Sequence, residues 1–207
     1  MKKITNSAIL ALLLLTTSIE ATSVYMGVEQ SLNYKVKNTT EVGSYSKSNT
    51  ESPTITSIKI GGVKGGDKKR GDRYEVLYNF GDKSANPVGG LEGEDVTSLN
   101  INYHFTLPRI SPTSEILPYL RFGGSYIMSS DKYRDISTGE KMNYSAVGAL
   151  LGIGTYFRVT DNINVSAGFD YGYRLWEDLT YSNYYHSVTI ESEDRFSKLY
   201  VGFDYLF

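Results

Sequence analysis

The sequence predicts an all-β fold: a closed, eight-stranded, antiparallel up-and-down barrel that crosses a membrane with its strands. Three observations predict it. Eight segments alternate between apolar and polar residues, the connections between them are long and short in turn, and the polar faces carry charges. Successive side chains of a strand point to opposite faces, so each segment has one apolar and one polar side. Segments of about 9–11 residues are long enough for a tilted crossing of a bilayer.

The first two strands are predicted over residues 24–33 and 55–64. The alternation is regular in the first and least regular in the second, whose polar face carries Lys59. Residues 35–54, between them, are rich in Ser, Thr, Asn and charge, which predicts a long solvated loop. The Gly-rich and charged residues 65–72 predict a turn after the second strand.

The next three strands are predicted over residues 73–80, 96–107 and 117–128. In each of them, aromatic and aliphatic residues alternate with polar ones over at least eight positions. Residues 81–95 predict the second long loop, and the Pro-containing residues 108–114 predict a short turn. Long and short connections therefore continue to alternate along the chain.

The sixth and seventh strands are predicted over residues 144–159 and 163–174, after a third long loop at 129–143. If Val159 and Ile163 both face outward, the turn between them must have three residues, Thr160 to Asn162, with Asn162 as its left-handed residue. This register sets Asp170 opposite Gly152 on the polar face. The fourth long loop is predicted over residues 175–193.

The last strand is predicted over residues 199–207, and the sequence finishes on Phe207. This ending resembles the C-terminal signal strand of bacterial outer-membrane β-barrels, which has a terminal Phe and aromatic or apolar residues at alternate positions before it. The resemblance implies that Phe203, Tyr205 and Phe207 form an assembly signal that the outer-membrane assembly machinery recognises.

Residues 1–21 have the pattern of a secretory signal peptide: Lys2 and Lys3 precede the apolar run 8–15, and Ala21 is a plausible last residue. The remaining residues, 22–207, are of one-domain length. They contain no cysteine, so hydrogen bonding and packing must stabilise this exported domain. The slightly acidic net charge of −2 argues against nucleic acid as a partner.

The whole mature chain resembles the small outer-membrane barrel family that includes OmpA-like barrels, OmpX-type proteins and opacity adhesins. The likeness is one of architecture, signal peptide and end strand, without a specific motif. It implies a location in the outer membrane of a Gram-negative bacterium, with membrane lipid and lipopolysaccharide as partners and host or surface ligands for the loops.

Charged residues on the polar faces distinguish two architectures. In a soluble β-sandwich they would face water, whereas in an eight-stranded barrel they would fill the interior and pair with one another. For Asp170, the nearest basic candidates along the sequence are Arg121 and Arg174, and Lys59 is more distant. The predicted interior network consists of Glu29, Lys59, Glu75, Arg121, Arg158, Asp170, Arg174, Lys198 and Asp204.

Catalytic and metal-binding patterns are weak. The chain has two histidines and no cysteine, which supply no metal-ligand cluster, and no cofactor motif is found. Some outer-membrane barrels are lipid A deacylases with a His-x-Ser pair, and the nearest match here is His104-Phe105-Thr106, on the wrong side of the membrane. The sequence therefore predicts that the protein is not an enzyme and has no catalytic residue.

An aromatic cluster in the fourth loop has two interpretations. Trp176, Tyr181, Tyr184 and Tyr185 could anchor the rim at the outer interface, which is the preferred interpretation, or contact a host molecule or lipopolysaccharide. The predicted function is a structural or adhesive surface barrel with a filled interior and four long extracellular loops. The alternative is a narrow porin-like channel for small solutes or ions.

Overall fold

The computed structural model describes residues 23–64, 71–83, 95–109, 114–127, 144–182 and 187–207. These residues form ten β-strands and no helix. None of the described segments is therefore a helix that could span a membrane. The strands are β1 Ser23–Val42, β2 Tyr45–Glu51, β3 Thr56–Lys64, β4 Asp72–Lys83, β5 Asp95–Thr106, β6 Ile116–Ile127, β7 Ala146–Arg158, β8 Ile163–Trp176, β9 Leu179–Ser182 and β10 Ser187–Leu206.

Eight of these strands close into an antiparallel barrel, which confirms the predicted fold class. Their order around the ring is β1-β3-β4-β5-β6-β7-β8-β10, and β10 pairs back onto β1 from Leu206 opposite Tyr25 to Ile190 opposite Val42. We call the end where β1 begins and β10 finishes the lower end, and the opposite end the upper end. Closure leaves no open sheet edge along the barrel.

Two of the predicted long loops are largely strand, so these predictions were wrong. β1 continues to Val42 and returns as β2, and β10 begins at Ser187 beside the short β9. Together, β2, the upper half of β1, the upper half of β10 and β9 form a four-stranded upper sheet. Its backbone groups are satisfied by cross-strand pairing, but polar residues occupy both of its faces, so no apolar alternation marks it in the sequence. The predicted loop 129–143 lies outside the described residues, as does most of 81–95.

Two bulges shift the inward phase of a strand. In β1, the register slips between Ser31 and Asn33, so Leu32 and Asn33 are both exposed and Tyr34 is buried. Regular alternation predicts Asn33 on the interior face, but the bulge places it on the exposed face instead. In β4, the slip between Asn79 and Asp82 contains Gly81 at φ 79°, a conformation that favours glycine. This bulge turns Asp82 into the barrel.

The β7–β8 turn has the predicted three-residue length. The Val159 amide donates to the Ile163 carbonyl at 3.0 Å, and Arg158 pairs with Asn164. The left-handed Asn162 was a wrong prediction, because no non-glycine residue in the described segments has a positive φ. Instead, the hydroxyl of Thr160 accepts hydrogen bonds from the amides of Asn162 and Ile163 at 3.3 and 3.1 Å, which satisfies the turn.

Candidate functional site

The interior of the barrel collects the buried charges. At mid-height, Arg121 projects from β6, which lies four strands from β1 in the ring of eight and therefore faces it across the full diameter. The Arg121 guanidinium contacts Glu29 on β1 at 3.2 Å, Asp170 on β8 at 2.8 Å and Glu75 on β4. None of the four side chains exposes more than 2% of its surface. One guanidinium thus bridges three carboxylates from three other strands.

Lys198 on β10 completes this middle layer. Its ammonium lies 2.6 Å from Glu29 and 3.4 Å from Asp170. Asp170 faces Gly152, as the register predicted. A Cβ at Gly152 would come within 2.2 Å of an Asp170 carboxylate oxygen, so the glycine provides the space in which Asp170 meets both cations.

The lower layer is built around Asp204 on β10. Lys59 contacts its carboxylate at 2.7 Å and Arg73 at 3.3 Å, and all three side chains are buried. The Arg73 guanidinium also lies 3.6 Å from the centre of the Tyr156 ring and 5.3 Å from that of Tyr25. Cation–π contacts of this kind stabilise a buried arginine where carboxylates are few.

His104 lies between the lower and middle layers. Its Nε2 is 2.8 Å from Glu75, its Nδ1 contacts the Tyr156 hydroxyl, and its ring stacks on Tyr119 with centroids 4.7 Å apart. The Thr106 hydroxyl instead donates to the Gly71 carbonyl at 3.0 Å. The His-x-Thr sequence is therefore not assembled into a nucleophile–base pair in this structure.

The upper layer crosses the barrel again. Arg174 on β8 reaches Asp82 on β4, four strands away in the ring, with contacts of 2.8 and 3.2 Å. Tyr34 donates to Asp82 at 3.1 Å and accepts from Arg174 at 3.0 Å. Above them, Asp194 accepts a hydrogen bond from the Asn38 amide at 2.7 Å.

Asp194 lies beyond the apolar outer surface of β10, because its strand neighbours Glu193 and Arg195 face outward. Burial raises the pKa of the Asp194 carboxyl to about 6, against the opposing effects of the Arg174 guanidinium and the Asn38 hydrogen bond. Burial thus stabilises the protonated form of Asp194 more in the folded protein than in the unfolded chain.

The structure places eight of the nine predicted network residues in the interior and brings them into contact in the layers above. Arg158 is the exception, because its side chain is 29% exposed at the lower rim and pairs with Glu115 at 2.9 Å. Alternation alone put Arg158 inward, but it is the last residue of β7, and its side chain lies at the open end of the barrel next to Glu115. Asp170 pairs with Arg121, whereas the other predicted candidates, Arg174 and Lys59, pair with Asp82 and Asp204.

Sequence reasoning missed other charged members of the interior. Arg73 alternates with the apolar residues of its strand, so the sequence contained a signal for its inward direction, but the predicted network did not include it. Asp82 follows the Gly81 bulge and was assigned to the second long loop. Asp194 lies between the predicted fourth loop, 175–193, and the predicted last strand, 199–207, and was assigned to neither. Recognising Gly81 as a bulge would have pointed to Asp82.

The outer surface of the barrel is apolar. All eight ring strands expose aliphatic or aromatic side chains there, such as Val28, Phe122 and Leu151, which are 44–56% exposed. The predicted assembly residues Phe203, Tyr205 and Phe207 are on this surface, 44%, 45% and 70% exposed. Their role in assembly stays a prediction.

The predicted aromatic contact surface needs one correction. Trp176 is 5% exposed and stacks on Tyr144 inside the upper end of the barrel, with ring centroids 4.7 Å apart, so it is neither a rim anchor nor a loop contact. It points inward because β8 continues its alternation beyond Arg174. Tyr181 belongs to β9, with its side chain outside the described part, and Tyr184 and Tyr185 lie outside the described residues. In the described segments, no cluster of His, Cys, Asp and Glu could hold a metal ion.

Comparisons with known proteins agree with this architecture. No protein-family model and no curated protein matches the sequence. The crystal structure of Neisserial surface protein A superposes with a TM-score of 0.51 at 17% identity, covering 89% of this chain and 97% of that one. The N-terminal β-barrel domain of Pseudomonas aeruginosa OprF gives 0.41 at 12% identity, covering 86% and 97%. Ail, the attachment invasion locus protein of Yersinia pestis, gives 0.38 at 14%, covering 87% and 99%. The chain has the fold of the small eight-stranded outer-membrane barrels.

Proposed function

We propose that the protein is an outer-membrane β-barrel with a side-chain-filled interior, which acts as a structural or adhesive scaffold at the cell surface. The observation that carries the proposal is the inversion of polarity: charges are buried inside, while a continuous apolar surface faces outward. A soluble barrel would expose its charges and bury its aliphatic side chains. A bilayer stabilises the observed arrangement, because lipid contacts the apolar surface and the closed ring satisfies the backbone hydrogen-bonding groups of every strand.

The filled interior supports a scaffold rather than a conduit. Arg121 and Arg174 each cross the full diameter to a carboxylate, at two heights. Opening a path between the layers would require breaking buried ion pairs, and breaking one such pair costs about 3–5 kcal/mol. Eight strands enclose an interior just wide enough for side chains, so the layers leave little room for a passing solute.

The upper sheet supports a role in presentation. β1 and β10 each have 20 residues, about twice the roughly 9–11 that a tilted crossing needs. On β10, the outward residues are apolar from Tyr205 to Leu199 and then change to Ser197, Arg195 and Glu193. We infer from this change that the upper halves of these strands project beyond the lipid. On this proposal the upper end is extracellular and carries a polar sheet at the cell surface.

A narrow channel is the second candidate, and one observation favours it. Several buried interior atoms make no hydrogen bond to protein in the described residues, among them Arg121 Nε, Asn102 Oδ1 and Ser125 Oγ. Buried polar groups without protein partners commonly bind ordered water. A connected chain of such waters would give the barrel a small ion conductance.

Planar-bilayer recording separates the two candidates. The refolded protein should insert without steady conductance at symmetric salt, because Arg121 and Arg174 close the interior. Replacing both, in R121S/R174S, should open ohmic steps, whereas R195S on the outer surface should not. Steady conductance of the unaltered protein would contradict the scaffold proposal and favour the channel.

Assembly and location form the remaining part of the proposal. Residues 1–21 would direct export, membrane lipid and lipopolysaccharide would surround the apolar surface, and Phe207 would act as the assembly signal. Deleting Phe207 should lower the yield of heat-modifiable, folded protein in the outer membrane and leave protease-sensitive chain in the periplasm. The conservative F207Y variant is the control and should assemble normally. Normal assembly of the deletion variant would contradict the signal role. A non-enzymatic role is also proposed, since His104 contacts Glu75 and Tyr156, whereas the hydroxyl of Thr106 donates to the Gly71 carbonyl.

A further inference from the structure

Basic side chains lie on the outer surface where the apolar surface of β1 and β10 ends. The outward residues of β10 are apolar up to Leu199, and Ser197 and Arg195 follow toward the upper end. Lys35 on β1 lies opposite Ser197, and Lys37 lies opposite Arg195. All three cations are exposed, Arg195 by 60% of its side chain. We call Lys35, Lys37 and Arg195 the basic patch.

The pairing of β1 with β10 brings the basic patch together. Residues directly opposite each other on antiparallel strands have Cβ atoms about 4.5–5.5 Å apart, which applies to Lys37 and Arg195. Lys35 is two positions from Lys37 on β1, about 7 Å along the strand. Lysine and arginine side chains are long enough to converge over such distances on one phosphate group. Like charges opposite each other destabilise a sheet, so a bound anion would also stabilise this pairing.

The neighbouring carboxylate does not neutralise the basic patch. Glu193 contacts Arg195 Nη2 at 3.4 Å with one oxygen, and its other oxygen accepts a hydrogen bond from the Tyr173 hydroxyl on β8. In the described segments, neither Lys35 nor Lys37 has an ion pair. Setting Glu193 against Arg195 therefore leaves the charges of both lysines. Exposed pairs such as Arg195–Glu193 are weak, so Arg195 can also contact a ligand.

Two further carboxylates lie farther from the basic patch. Glu41 and Glu191 are opposite each other, four positions beyond Lys37 and Arg195 toward the upper end. Four residues of a strand span about 13 Å, which exceeds the Debye length of about 8 Å at physiological ionic strength. Apolar, basic and acidic side chains thus follow one another in that order along the outer face. Screening by salt keeps the basic zone attractive to anions although an acidic zone lies above it.

Exposed tyrosines lie at the level of the basic patch. Tyr173 and Tyr171 on β8 pair opposite Arg195 and Ser197, and they are 36% and 53% exposed. Tyrosine is enriched at membrane–water interfaces, where its ring contacts lipid and its hydroxyl contacts polar groups. In the proposed orientation, the basic patch therefore lies at the height of the lipid headgroups.

We propose that the basic patch binds a phosphate group of a phosphorylated glycolipid in the outer leaflet of the membrane. The inference rests on the proposed function, which sets the upper end at that leaflet. The patch is continuous with the apolar surface, so one lipid molecule packs its acyl chains against Val201 and Leu199 and its phosphate against the three cations. Basic side chains beside an apolar surface attract anionic headgroups, and the acyl chains add to the binding. A soluble phosphate would gain only the contacts with the cations.

Lipid retention measured by native mass spectrometry tests the proposal. The refolded barrel is released from phosphatidylcholine nanodiscs that contain equal amounts of diphosphorylated and dephosphorylated lipid A, and the parent should retain the diphosphorylated form several-fold more often. K35Q/K37Q removes two cations that have no ion pair in the described segments, and it should lose this preference. K47Q/R158Q is the matched control and should keep the preference. It removes two positive charges elsewhere, on the face that Lys47 shares with buried Thr40 and at the lower rim.

Further measurements identify the ligand and cover a variant that does not refold. Heat modifiability checks folding, and if K35Q/K37Q does not refold, R195Q should reduce the preference several-fold. Excess inorganic phosphate should not displace lipid A; displacement would assign the patch to a soluble anion and overturn the proposal. Equal retention of both lipid forms by the parent, or an unchanged preference in K35Q/K37Q or R195Q, would also overturn it. An inserted parent barrel without this preference would leave the proposed function intact, whereas failure to insert into nanodiscs would contradict the proposed function and this inference together.

Discussion

The Asp170–Arg121 ion pair allows the interior network to be tested quantitatively. D170N removes a fully buried carboxylate 2.8 Å from Arg121 and 3.4 Å from Lys198. Breaking a buried pair costs about 3–5 kcal/mol, and we expect about 3 kcal/mol here, because Arg121 keeps Glu29 and Glu75 and Lys198 keeps Glu29. R121Q should cost at least about 5 kcal/mol, because it leaves three buried carboxylates without their shared cation.

The two changes should not be additive. Once Arg121 is absent, Asp170 has lost its shorter ion pair, so removing its charge relieves the excess of carboxylates in the middle layer. The double variant should therefore be more stable than the sum of the single effects predicts, by about 0.5–3 kcal/mol, the range of coupling between contacting residues. R158Q is the matched control, since its partly exposed pair with Glu115 should contribute about 1 kcal/mol or less.

Urea unfolding in detergent measures these differences. The single tryptophan of the chain, Trp176, is buried at the upper end and provides the fluorescence signal. The slope of the transition should stay unchanged among the variants, so that midpoint differences report stability. A D170N protein as stable as the parent, together with steady ion conductance, would refute the reasoning, because Asp170 would then be hydrated in an open interior.

Three further predictions concern the outer surface, a glycine and a titrating group. A167R, on the apolar surface, should cost about 2–4 kcal/mol of stability if its side chain meets the middle of the bilayer, whereas S48R in the upper sheet should be tolerated. Equal tolerance of A167R and S48R in refolding into vesicles would contradict the assignment of Ala167 to the lipid-facing side. G152A should cost about 1–3 kcal/mol of stability by urea unfolding, because its Cβ would meet an Asp170 oxygen at 2.2 Å and a backbone oxygen at 2.9 Å. G124A is the control, because the nearest atom to its Cβ is 3.9 Å away. Equal stability of the two variants would argue against the close fit at Gly152. Asp194 has a raised pKa of about 6, so its contribution to stability should be full below pH 4 and should be lost as the pH rises through 6. The difference in the free energy of unfolding between the parent and D194N, measured in urea, should change by about 2–3 kcal/mol over that range. A constant difference would refute the pKa shift.

The barrel itself could be predicted from the sequence because strand alternation is a local property. Each crossing strand carries its apolar and polar faces within about ten residues. The hairpin register is nearly local as well, so the three-residue β7–β8 turn and the pairing of Asp170 with Gly152 followed from parity. The inward direction of Glu29, Arg121 and Lys198 needed no more than this alternation.

The choice of partners inside the barrel was decided by the tertiary structure alone. Arg121 meets Glu29, 92 positions away in sequence, and Arg174 meets Asp82 at the same separation, because closure sets strands β6 and β8 opposite β1 and β4. An alternation pattern within one strand cannot predict contacts between residues so far apart in the sequence. Alternation of apolar and polar residues also fails to predict two other features. One is the Gly81 bulge that turns Asp82 inward, and the other is the pairing of polar segments that builds the upper sheet. Apolar periodicity thus determines which face a residue occupies, whereas ring closure and bulges determine which charge it meets.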